Sequence, residues 1–173
     1  MPEDNYSMAP DLFPDLPGSA RTWIFALEGT PAECRSALGR VKTFLNSWLS
    51  HGHAVSGQAT LAGGRFLIVS GQVSNGQVSG CSIDTLTRAV TEAVREAGCR
   101  MVSPMKISYQ CVDGTIAFAS RPVFRQLLSA GKVTPATPIC DVAISQLRDL
   151  RAGKFMRPLS RSPFARVFRV QPE

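Results

Sequence analysis

The continuous apolar run Phe66-Leu67-Ile68-Val69, preceded by Ala62-Gly63-Gly64, constrains the fold more than any other segment. Four apolar side chains in succession suit a central strand, and the paired glycines suit the turn of a hairpin whose first strand is residues 54–61. An amphipathic run of helical period lies on each side of this hairpin. Residues 31–49 place Cys34, Leu38, Val41, Leu45 and Trp48 at spacings of three and four, with Thr30 as cap and Pro31 at the first helical position. The run after Cys81 places Ile83, Leu86, Val90, Ala93, Val94 and Ala97 on one face and stops at Gly98, a natural residue after a helix end. Ahead of both, Thr22-Trp23-Ile24-Phe25-Ala26-Leu27 reads as a strand ended by Gly29.

Farther along, residues 105–110 and 115–119 read as a second hairpin about Val112-Asp113-Gly114, followed by a short helix over 122–130. A further helix is predicted over 140–151, after the loop Thr134-Pro135-Ala136-Thr137-Pro138. The order β-α-β-β-α-β-β-α-α predicts an α+β fold. Its first part reads as a ferredoxin-like β-α-β-β-α-β unit, an antiparallel sheet with helices on one face, extended by a C-terminal hairpin and helices. A length of 173 residues suits one such domain, over residues 21–152. Residues 1–20, with Pro2, Pro10, Pro14 and Pro17, read as a flexible leader, and residues 153–173 as a basic tail.

The net charge is +6, and Arg148, Arg151, Lys154, Arg157, Arg161, Arg166 and Arg169 crowd the final quarter with Asp149 as the main counter-charge. Arg151, Lys154, Arg157, Arg161 and Arg166 are therefore candidate contacts to RNA, a ribosome or an acidic protein. Phe155, Phe164 and Phe168 interleave with these cations, either to stack on bases or to anchor the tail on the core. Cys34, Cys81, Cys99, Cys111 and Cys140 are odd in number and form no Cys-x-x-Cys pair, so neither a disulfide framework nor a zinc site is expected. With no run of bilayer-spanning length and no apolar leader, the expectation is a cytoplasmic protein, and exposed sheet edges admit a homodimer.

Chemistry points to Ser79-Gly80-Cys81-Ser82-Ile83-Asp84. A thiol at a helix start faces unpaired N–H groups and the positive end of the helix dipole, which favour a thiolate. Cys81 is the candidate nucleophile, His51 in Trp48-Leu49-Ser50-His51-Gly52 the candidate base, and Asp84 or Ser79 the orienting group. The amides of Ser79, Gly80 and Ser82 are the candidate anion-binding groups. A structural reading stands beside each: Cys81 as core, Ser82 as helix cap, Asp84 as a first-turn carboxylate and His51 as a helix C-cap. Gly-x-x-x-x-Gly-Lys-Ser/Thr and Gly-x-Gly-x-x-Gly are absent, position 87 is Thr87 where a cysteine phosphatase needs arginine, and no metal or cofactor is expected. Two functions follow: a thiol or anion site at Cys81, or a non-enzymatic binding or regulatory module that works through the basic segment.

Trp48-x-x-His51-Gly52, Arg65-Phe66-Leu67-Ile68-Val69 and Ser79-Gly80-Cys81-Ser82-Ile83-Asp84 together resemble a family of short bacterial proteins common in Bacteroidetes and their relatives, often labelled "ABC transporter ATPase". The resemblance covers roughly residues 21–141, including Gly131-Lys132-Val133 and Thr137-Pro138-Ile139. The ATPase activity that label implies has no Walker motif in this chain, and the proline-rich leader and arginine-rich tail depart from the family pattern.

Overall fold

The computed structural model describes Tyr6 and residues 8–74 and 76–171. Residues 1–5 and 7 of the predicted leader, Asn75 of the loop before the second long helix, and residues 172–173 of the predicted tail lie outside the described residues. The chain opens with β1 (Arg21–Glu28), α1 (Pro31–Leu45), the short strands β2 (Leu49–Ser50) and β3 (His53–Ala54), β4 (Ser56–Ala62), β5 (Phe66–Gln72) and α2 (Gly80–Glu96). There follow β6 (Arg100–Met101), β7 (Ile107–Gln110), β8 (Ile116–Ala119), α3 (Arg121–Ser129), β9 (Pro138–Cys140) and α4 (Leu147–Arg151). The described chain closes with β10 (Met156–Pro158), a 3-10 turn (Leu159–Arg161) and α5 (Ala165–Phe168).

The fold is mixed α+β with antiparallel sheets. One sheet is ordered β4-β5-β1-β6 and a second β10-β9-β7-β8. Register in the first is fixed by Ile24 opposite Ile68 and by Ala59 opposite Val69. Every residue of β5 from Phe66 to Gly71 is buried. Side chains alternate across a strand, so a run with no polar face needs cover on both sides. Leu67 and Val69 pack with Val41 of α1 and Leu86 and Val90 of α2, whereas Phe66 and Ile68 pack with Phe13, Leu16, Leu147, Leu150 and Phe155. The Phe66 ring meets Phe155 edge-on at 5.0 Å between centroids. Each such fully buried side chain contributes on the order of 1.5–3 kcal/mol.

That second layer corrects the reading of a flexible leader. Met8, Phe13, Leu16 and Ala20 are buried, because the outer face of β5 requires them. Arg151, at the end of α4, holds the segment in place. Its Nε donates to the Leu12 carbonyl and its Nη2 to the carbonyls of Phe13 and Leu16, each at 2.9 Å. The tail is folded as well, with Phe155, Leu159 and Phe168 buried.

Two helices are shorter than their periodicity predicts. The helix expected over 140–151 begins only at Leu147, because Cys140 is drawn into β9 opposite Ser108 and Met156. The intervening loop is held by the Ala143 amide donating to Asp141 Oδ1 and by the Thr22 amide donating to the Ser145 carbonyl. Helix α1 ends at Leu45 rather than Leu49, since β2 and β3 form a tight hairpin with His51 at φ 50° and Gly52 at φ 77°. Two successive positive φ values are those of a type I′ turn, whose twist matches the strands it joins. His51 is a turn residue, not a helix cap.

Candidate functional site

The Ser79 to Asp84 segment begins α2, and Ser79 rather than Ser82 is its cap: its Oγ accepts from the Ser82 amide at 3.2 Å. The two hydroxyls lie 2.7 Å apart. In a complete capping box the third residue of the helix would return a side-chain acceptor to the cap's own N–H, as Glu33 does for Thr30 in α1. Ser82 is too short for that, and Ser50 Oγ from β2 accepts the Ser79 N–H at 3.0 Å instead. Beside it, Trp48 Nε1 donates to the Ser82 carbonyl at 3.1 Å. Trp48 is buried against Trp23, 5.6 Å between ring centroids, and over Gly71, where a Cβ would fall 2.7 Å from the indole. The short hairpin and the start of α2 are thus one bonded unit.

Chemically this unit is a cap. Cys81 is the second residue of the helix and is exposed, as are His51 and Asp84. Among the described residues no hydrogen bond joins any two of those three; the bonds that tie hairpin to helix run through Ser50 and Trp48. The Ser79 and Ser82 hydroxyls are directed at each other and at the cap, and Gly80 opens the helix at the surface. Three of the other thiols, Cys34, Cys99 and Cys140, are buried. Burial pushes Cys140 up to about 12, and burial with the neighbouring Cys99 thiol pushes Cys34 up to about 11. Among the described residues no cluster of three or more His, Cys, Asp or Glu could hold a metal ion.

The basic segment is arranged differently from its sequence pattern. Arg151 is consumed by the carbonyls of residues 12–16, Lys154 pairs with Asp149 at 2.7 Å, and Arg157 pairs with Asp141 at 3.0 Å. Arg161 and Arg166 remain exposed and, among the described residues, outside any ion pair. The aromatic residues are anchors: Phe155 lies against Phe66, and Phe168 lies 5.1 Å from Phe124. Phe168 also brings α5 against α3, where the Arg125 guanidinium lies 5.5 Å above its ring.

Four cations escaped the site prediction yet share this neighbourhood. Arg121 and Arg125 lie on α3, Lys132 follows it and Arg169 ends α5, all four exposed. With Arg161 and Arg166 they are five exposed arginines and one exposed lysine on segments whose Phe124, Val133, Leu159 and Phe168 share one buried cluster. A count by halves would have found them. Residues 100–171 carry twelve Lys and Arg against three Asp and Glu, and residues 1–99 carry seven against nine. No family model, curated protein or solved structure matches the chain.

Proposed function

We propose that this chain is a non-enzymatic binding module that docks RNA on the face built from α3, the 3-10 turn and α5. The observation that carries this reading is charge segregation: a basic half whose Arg121, Arg125, Lys132, Arg161, Arg166 and Arg169 are exposed and unpaired among the described residues. Arginine predominates over lysine there, which suits oxyanions such as backbone phosphates, since the guanidinium fork can bind two oxygens at once. Electrostatic docking of this kind needs no catalytic chain, and among the described residues no hydrogen bond joins any two of Cys81, His51 and Asp84. The exposed Cys81 at the second position of α2 favours thiol chemistry as a second reading, with Ser79, Gly80 and Ser82 as its surroundings.

We further read the first sheet with α1 and α2 as a ferredoxin-like unit, supported by its order β4-β5-β1-β6 and its two β-α-β crossovers. Five free thiols support a reducing, cytoplasmic setting. The test is fluorescence anisotropy with a labelled single-stranded RNA and, separately, a labelled polyglutamate peptide of equal charge. RNA should bind at least tenfold tighter. Equal affinity would replace RNA with an acidic protein partner, and no binding to either would refute the module.

A further inference from the structure

Where β1 begins and β5 ends, a polar cleft of about 430 Å³ opens between the two strand ends, the loop before α2 and the loop before α4. Its size falls in the range of small-molecule sites. The strand ends are held together by the pairing of Arg21 with Gly71 and a bridge between Arg21 and Gln146. Six side chains give the cleft its character: Ser19, Arg21, Gln72, Gln77, Ser145 and Gln146. Among the described residues the lining has one guanidinium, three carboxamides and two hydroxyls, with no carboxylate and no aromatic ring.

These groups are free to bind something. Arg21 forms no ion pair among the described residues; its guanidinium rests 5.8 Å from the centroid of the Trp23 ring, which orients the cation without neutralising it. The carboxamides of Gln72, Gln77 and Gln146 make no hydrogen bonds within the described protein, in contrast to Gln58 and Gln110, whose amides donate to Asp15 and to the Gly114 carbonyl. An uncompensated cation selects an anion. Carboxamides and hydroxyls that both donate and accept select hydroxyl groups, the lack of an aromatic platform disfavours a nucleobase, and the lack of a carboxylate disfavours a cation.

We propose that this cleft binds a small polyhydroxylated anion, with Arg21 on the oxyanion and the three glutamines on the hydroxyls. A sugar phosphate and a sugar carboxylate share that chemistry. The cleft is built from residues other than those of the basic face, so the two readings stand or fall separately. Calorimetric titration of the full chain with ribose 5-phosphate and with gluconate tests it. One of the two should bind saturably, at least tenfold tighter than neutral ribose and tighter than inorganic phosphate, and which one binds identifies the oxyanion. Arg21→Gln should weaken that ligand tenfold or more and Gln146→Leu severalfold, with circular dichroism of both variants unchanged. Binding of neither probe, equal binding by wild type and Arg21→Gln, or inorganic phosphate binding as tightly as the sugar phosphate would overturn the proposal. Should Arg21→Gln unfold, Gln72→Ala together with Gln146→Leu gives the same decision.

Discussion

Replacing Arg151 by methionine separates a structural arginine from a nucleic-acid contact. The side chain makes three hydrogen bonds to main-chain carbonyls of residues 12, 13 and 16, each 2.9 Å long, and these hold the segment that covers the outer face of β5. Methionine keeps most of the apolar stem and removes every donor. A net loss of about 1.5 kcal/mol per charge-assisted bond, with part of the penalty recovered by water at a half-buried site, puts the destabilisation at about 2–4 kcal/mol. For a domain of this size that corresponds to a fall in melting temperature on the order of 5–15 °C. Urea unfolding followed by Trp fluorescence measures the first and calorimetry the second, while limited proteolysis should cut the variant first within residues 8–20. RNA affinity below the melting transition should stay within about twofold of wild type, because a guanidinium occupied by carbonyls contributes little to counterion release. A stability change below about 0.5 kcal/mol accompanied by loss of RNA binding would refute this assignment.

Gly71→Ala places a Cβ 2.7 Å from the Trp48 indole, so it should destabilise by about 1–3 kcal/mol through overpacking, measured by urea unfolding. Ser50→Ala removes the acceptor of the Ser79 amide and should cost about 1 kcal/mol, an effect that largely disappears in a Ser79→Pro background if that hydrogen bond is its source. In the native protein, iodoacetamide followed by peptide mass spectrometry should label Cys81 well before Cys34, Cys99 and Cys140, and labelling of Cys140 as fast as Cys81 would contradict the core described above. Cys34 and Cys140 hold their protons to about 11 and about 12 when folded, above the ordinary thiol value of 9.0. The folded state therefore binds more protons than the unfolded state between those limits, and the stability this provides is full below pH 9 and lost as pH rises toward 11–12. Cys140→Ala should flatten that alkaline decline in a pH series of urea midpoints.

The first half of the fold was legible because it obeys simple periods. Thr30 and Pro31 mark the start of α1, Gly98 marks the end of α2, and the apolar run of β5 is visible in the sequence. The second half was less so. Strands β9 and β10 have three residues each, too few to show a period, and Cys140 joins a sheet only because Ser108 and Met156 lie on either side of it. Phe13 and Leu16 sit among prolines with no pattern of their own, and their burial follows from the second apolar face of β5. At the start of α2 the sequence points to Ser82 as the cap, whereas the cap is Ser79, whose N–H is held by Ser50, 29 residues away in sequence. The basic residues were only half visible in the tail, since Arg125 of α3 meets α5 through its guanidinium over Phe168 and the packing of Phe168 on Phe124.

The docking claim is tested most directly by the salt dependence of RNA affinity, measured for the wild type and for Arg125→Ser/Arg166→Ser/Arg169→Ser. Each phosphate neutralised on a single strand contributes a slope of about −0.7 in log K against log salt, so the triple variant should bind more weakly at low salt with a slope shallower by about 2. Identical slopes and affinities for the two proteins would contradict the assignment of this face to RNA.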